Sequence, residues 1–161
     1  MGIDFRNGVE PCFVGIAKNN EGFLELNDFL SHHIHQRNKI PEIAPKFEHA
    51  YVIYPFEKVL QNEKKSFAEN EFIGVSVNEL KRLRFSKLLE QRDKIVLLQP
   101  VTFRNKRDFN AHRLLRAIDN NTLLSMLSVT EQASEDEKMY SIPNLAAHFS
   151  EHSFILENTQ R

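Results

Sequence analysis

Apolar and polar positions alternate from Ile3 to Arg6, and a second β-like run extends from Pro11 to Lys18. Successive strand side chains point to opposite faces, so this alternation predicts half-buried strands. Asn7-Gly8 lies between the two runs. That pair supplies the positive φ that a tight turn needs, so the opening segment predicts a β-hairpin. After Asn19-Asn20-Glu21-Gly22 the period changes. Phe23, Leu24, Leu26, Phe29, Leu30 and Ile34 recur at three- and four-residue spacing, which predicts an amphipathic helix of about 15 residues. Pro41 and Pro45 bracket a loop.

The remaining pattern alternates the same two signals. Ala50 to Tyr54 predicts a strand, and Pro55 permits a helical turn through Leu60. Gln61 to Asn70 is charged and expected to be exposed. Glu71 to Ser76 predicts a strand, and Val77 to Leu89 helical turns. Lys94 to Gln99 is continuously apolar at its centre, which suits a strand buried on both faces of a parallel sheet. Phe109, Leu114, Leu115 and Ile118 predict a helix over Arg107 to Asn120, with Asp108 as its N-terminal cap. Ser128 to Lys138 reads as an acidic loop, Pro143 to Phe149 as a short helix, and Ser153 to Arg161 as a last helix. Strands separated by helices argue an α/β fold. No repeat or low-complexity tract divides residues 1–161, so a single domain is expected.

Composition narrows the function classes. The chain of 161 residues is 41% hydrophobic, with a formal net charge of -1 and a sequence pI near 6.7. A duplex-binding module ordinarily carries a basic face and a high pI, so this balance argues against one. Trp is absent and Phe numbers 13, so Phe should supply most of the core bulk. Cys12 is the single cysteine, which excludes an internal disulfide and points to a reducing, cytoplasmic compartment. No signal peptide or long apolar run is visible, so no membrane partner is expected.

Candidate chemistry is sparse. His32-His33-Ile34-His35 suggests a metal site, but residues two apart on a helix face different ways. A solvated helix end, where His complements the helix dipole, is the better reading. Asp4 is placed at the end of the first strand, where a carboxylate can ligate a hard cation or simply cap a turn. Cys12 reads as a buried strand residue rather than a nucleophile. Lys81, Arg82, Arg84 and Lys87 form one basic cluster and Arg104, Lys106 and Arg107 another. Either can touch phosphate, or be solvated and ion-paired. No P-loop, G-x-S-x-G, H-E-x-x-H or C-x-x-C motif occurs, so residue chemistry stops at an α/β domain without a legible reaction.

Four landmarks go further. Gly2-Ile3-Asp4-Phe5 resembles a G-x-[ED]-F strand. Ala17-Lys18-Asn19-Asn20-Glu21-Gly22-Phe23 resembles an A-K-N-x-x-G-[FY] start of a helix. Asp108 to Ile118 (D-F-N-A-H-R-L-L-R-A-I) resembles a D-[FY]-x-A-H-x-[VL]-L-x-A-I helix. Leu145-Ala146-Ala147-His148-Phe149 followed by Glu157-Asn158-Thr159 completes the series. In this order the four resemble the N-terminal PHP domain of the alpha subunit of bacterial DNA polymerase III. Gln99-Pro100-Val101-Thr102-Phe103 is most similar to the Bacteroidetes type.

The resemblance implies a partial PHP-like distorted β/α barrel, with mostly parallel strands and outer helices. Active members hold zinc or manganese through His, Asp and Glu at strand ends, which activates water for phosphoester hydrolysis. In the family an Asp-Val-His-Phe-like motif supplies two ligands. Pro100 and Thr102 stand at those positions here, and the family's opening H-x-H strand is expected to lie upstream. Asp4 alone falls on a ligand-like position. The resemblance therefore implies a structural segment without a cofactor of its own, inactive alone. Its partners would be the rest of the polymerase alpha chain and, through the parent, DNA and other replisome subunits. Magnesium would serve the distant polymerase site. Two alternatives stay open. One is a metal-dependent phosphoesterase using Asp4 with some of His32, His33, His35, His49 and His112. The other is an interaction module using the Lys81 to Lys87 cluster or the acidic loop.

Overall fold

The computed structural model describes residues 1–62 and 66–160. Five strands, β1 (Gly2–Asn7), β2 (Glu10–Ala17), β3 (Ala50–Pro55), β4 (Glu71–Val75) and β5 (Ile95–Leu97), form one sheet in chain order. The helices are α1 (Asn20–Gln36), α2 (Phe56–Gln61), α3 (Leu80–Leu83), α4 (Lys106–Asp119), α5 (Ile142–His148) and α6 (Ser153–Thr159). Short 3-10 turns join several of them.

The hairpin forms as its sequence predicts. Asn7 pairs with Glu10 across a two-residue turn, in which Gly8 takes φ +66°, a conformation that costs glycine little. Phe5 faces Phe13, but Arg6 faces Pro11, so Cys12 is the extra residue of a β-bulge. The bulge lets neighbours Cys12 and Phe13 both turn inward, and both are fully buried. Phe5 and Phe13 lie 4.7 Å apart between ring centres, and Phe29 of α1 closes on Phe5 at 5.4 Å. These rings join Leu26, Val52, Tyr54, Ile73, Val75 and Ile95 in the core, to which Phe56, Leu83, Phe149 and Ile155 also belong.

Helix α1 starts earlier than its apolar period, because Asn19 caps it by accepting the Gly22 N–H at 2.9 Å. Its C-terminus is set by Arg37 in the left-handed region, φ 54°. The chain then makes a return stroke. Asn7 grips Ile40 at both backbone groups, accepting its N–H at 2.9 Å and donating to its carbonyl at 2.8 Å. That contact holds the end of α1 beside the hairpin turn. Residues 41–49 travel back to the other end of the sheet, where the Lys18 N–H donates to the His49 carbonyl at 2.9 Å.

This stroke overturns the expected barrel. A helix followed by a short loop would lay β3 parallel to β2. The additional traverse reverses the chain, and β2 and β3 pair antiparallel from Ala17↔Ala50 to Val14↔Ile53. The hairpin forces the β1–β2 pairing antiparallel as well. Only β3–β4 and β4–β5 are parallel. The result is an open, mixed five-stranded sheet rather than a closed or mostly parallel barrel. The Pro41–Pro45 segment reads as a bare loop in the sequence, so its length as a crossing was not visible there.

Other expectations shift locally. β5 is short, but Ile95 and Val96, on opposite faces, are both buried, as its apolar run predicts. Helix α4 is capped by Asn105, which accepts the N–H groups of Arg107 and Asp108 at 2.9 and 3.1 Å. Asp108 is therefore not the cap, and its carboxylate accepts from Arg104 instead. The exposed run expected over 61–70 includes residues 63–65, and the last expected helix includes residue 161. Both lie outside the described residues. Among the described residues no helix is long and apolar enough to cross a membrane.

The outer edge of β5 is sealed from far along the chain. Thr159 accepts the Leu97 N–H at 2.8 Å, and Asn158 donates to the Ile95 carbonyl at 2.9 Å. Such cover keeps a strand edge from pairing with another chain. The sheet face opposite α1 is less protected. Ile16, Tyr51, Ile53, Phe72, Val96 and Leu98 line an apolar groove of about 400 Å³ there.

The tightest backbone approach lies at Gly22. A Cβ at this position would sit 1.9 Å from the His49 carbonyl oxygen, which is backbone on the return stroke. Gly22→Ala should therefore lower stability by about 3 kcal/mol or more, the upper range for overpacking. Urea unfolding followed by far-UV circular dichroism measures it as a lowered midpoint.

Candidate functional site

Asp4 lies in the middle of β1 opposite Val14, not at a strand end. Its carboxylate accepts from Arg6 at 2.7 Å, and both side chains are nearly half exposed. The charge that a cation would need is thus already engaged by a guanidinium. Thr102, past β5, turns its hydroxyl to the Glu137 carboxylate and donates its N–H to the Glu137 carbonyl at 2.8 Å. Glu137 and Arg6 line a common shallow cleft with Val9, Arg116 and Glu131. Asp4 and Thr102 therefore each stand one partner removed from one cleft. Its charged walls alternate in sign, with Arg6 and Arg116 beside Glu131 and Glu137.

The histidines are scattered. His32 and His35 are exposed near the end of α1. The His33 ring stacks on Phe29 at 4.3 Å, with Nδ1 at 2.8 Å from the Phe29 carbonyl. His49 approaches Glu21 at 3.7 Å, while Glu25 of α1 accepts the N–H groups of Glu48 and His49 at 3.3 and 3.0 Å. His112 uses Nε2 to accept the Ala133 N–H at 2.9 Å, and a lone pair so engaged is closed to a metal. Among the described residues no three His, Cys, Asp or Glu side chains gather as a metal-binding group.

Of the basic clusters, Arg82 pairs with Glu57, Arg84 with Glu151, Arg104 with Asp108 at 3.0 Å, and Lys106 with Glu135 at 3.9 Å. Lys81 and Lys87 are exposed. Burial pushes the Cys12 thiol up from its ordinary value, which keeps it protonated and unreactive.

Three arrangements escaped the sequence reading. Lys58 of α2 is buried and pairs with Glu10. The hydrogen bond between them raises the Lys58 ammonium and lowers the Glu10 carboxyl. Tyr54 is pushed up by burial and by donating to Glu71 at 2.9 Å, while its oxygen accepts the Ala44 N–H at 3.1 Å. The His152 Nε2 is buried without a hydrogen-bond partner among the described residues. Burial first, then the charges of Arg84 and Arg92, hold its imidazole below the ordinary value. Apolar periodicity gave no signal for any of these, because each pairing joins residues distant in the chain.

Among the described residues the geometry offers hydrogen-bonded structural polar groups and open clefts, and no metal-binding group of His, Cys, Asp or Glu. No protein-family model matches the chain, and comparison with curated proteins and with solved structures returns no match.

Two measurements check these assignments. Cys12 should react with a thiol-specific chromogenic disulfide no faster than the native chain opens, and at once in urea. Rapid labelling of the folded protein would contradict its burial. His152 binds a proton more weakly folded than unfolded. Its neutral form is free of this penalty above the ordinary pKa of 6.5, and stability falls as pH drops below that value. In urea titrations between pH 8 and about 5.5, the His152→Leu variant should lose that decline while the native chain retains it.

Proposed function

We propose that the chain is a structural segment of the alpha subunit of a bacterial DNA polymerase III, from its PHP region, and that it supplies scaffold rather than chemistry. In the parent, DNA-templated synthesis would proceed at polymerase carboxylates elsewhere in the alpha chain. The observation that carries this reading is the ordered series of four landmarks along the sequence.

Their residues do structural work. In the second landmark, Asn19 caps α1 and Gly22 admits the His49 carbonyl. In the third, Phe109 packs on Phe103 at 5.0 Å and His112 accepts the Ala133 N–H. In the fourth, Asn158 and Thr159 seal β5. In the first, Phe5 fills the core, while the ligand-like Asp4 is paired with Arg6. A chain whose landmark residues cap helices, fill the core and seal a strand edge fits a supporting role.

Packing beside a larger body is also favoured by what is left uncovered. Helix α4 exposes Leu114, Leu115 and Ile118, the last two by about two-thirds of their surface. Leu123, Met126 and Val129 extend this apolar stretch. The open groove on the sheet is a second apolar surface left uncovered, the kind of feature that marks interaction sites when large.

The test is assembly. The full chain, mixed with the remainder of a Bacteroidetes-type alpha subunit expressed separately, should form a complex in sedimentation. A Leu115→Glu, Ile118→Glu variant should weaken it by about tenfold or more, since desolvating charge in an apolar contact is costly. Alone with zinc or manganese, the chain should hydrolyse no phosphodiester above background. Metal-dependent hydrolysis abolished by Asp4→Asn, or absence of the complex, overturns the reading.

A further inference from the structure

Phe85 is 91% exposed, far more than any other phenylalanine on the exposed surface. It sits where α3 ends. Leu83 is fully buried and anchors the turn to the core. The Arg84 N–H donates to the Leu80 carbonyl at 3.3 Å and the Phe85 N–H to the Arg82 carbonyl at 3.1 Å, so the helical path continues to residue 85. Lys81 and Phe85 are four apart on this path and share its outward side. Just beyond, the Ser86 hydroxyl accepts the Leu88 N–H at 3.1 Å and starts the turn that carries Lys87.

The charged residues nearest the ring along the chain are basic, and Glu79 and Glu90 bound that run. Residues 80–89 contain Lys81, Arg82, Arg84 and Lys87 and no acid. Arg82 and Arg84 are held in place by Glu57 and Glu151 from neighbouring segments. The side-chain ammonium groups of Lys81 and Lys87 make no ion pair or hydrogen bond among the described residues, and both residues are exposed. A protein-docking anchor is normally ringed by further apolar contacts. A ring standing alone between free ammonium groups matches another design, in which a base stacks on the aromatic face and flanking phosphates meet lysine.

We propose that Phe85, with Lys81 and Lys87, is a stacking contact for a single-stranded polynucleotide. Duplex bases present no free face to such a ring, so the contact selects unpaired strands. The near-neutral net charge of the whole chain keeps affinity modest and confines it to this turn. The inference does not require the polymerase assignment, and its test uses the chain alone.

Fluorescence anisotropy of labelled oligothymidylate and oligouridylate, titrated with the full chain at low salt, reads the contact. Saturable binding is expected for at least one strand, and the tighter of the two names its source. Phe85→Ala should weaken it by about tenfold, the scale of one base–aromatic stack, and Phe85→Trp should restore it. Lys81→Gln with Lys87→Gln should weaken binding and flatten its salt dependence. Circular dichroism confirms folding of each variant, since all three side chains are exposed. The proposal fails if neither strand binds, if Phe85→Ala binds like the native chain, or if a blunt duplex binds as tightly.

Discussion

The architecture depends on one backbone crossing, where the return stroke passes over the first turn of α1. Its only room is the missing side chain of Gly22, against which the His49 carbonyl rests. Around it Asn19 caps the helix, Glu25 receives two backbone N–H groups, and Lys18 closes onto His49. This crossing fixes where β3 begins and in which direction it runs. Direction in turn decides that the sheet changes from antiparallel to parallel at β3. Helix α1 on the core side, and the residual groove on the other, follow from that choice.

The polar interior is organised to complete this frame. Asn7 spends both ends of its amide on Ile40, and Asn70 donates to the carbonyls of Phe47 and Ala50 at 2.9 and 2.8 Å. Tyr54 reaches from β3 to Ala44 on the return stroke and to Glu71 at the start of β4. Irregular backbone packed against a sheet must find partners for its amides, and here side chains of asparagine, tyrosine and glutamate provide them. Such groups are costly to bury unpaired, so they also select against other paths for the same residues.

Much of this was legible in the sequence because it is local. The Asn7-Gly8 turn, the apolar stripe of α1 and the doubly buried β5 each follow from a short window whose pattern reflects its own burial. The reversal that makes β2 and β3 antiparallel was not legible. It rests on Asn7 with Ile40 and on Lys18 with His49, contacts that leave no periodic trace. The candidate site turns on a local contact instead. Asp4 carries suitable chemistry in isolation, but its engagement by Arg6 two residues on depends on strand side chains sharing a face. The isolation of Phe85 was equally hidden, since a phenylalanine near leucines in sequence reads as core.

The sealing of β5 by Asn158 and Thr159 has a consequence for biosynthesis. Those two residues leave the ribosome more than sixty positions after the strand they protect. Until then the nascent polypeptide carries a raw, hydrophobic margin able to recruit another copy. Premature termination before residue 149 would leave that margin bare and also strip Phe149 and Ile155 from the core. Quality-control factors would meet such a product with both an open strand edge and an incomplete core.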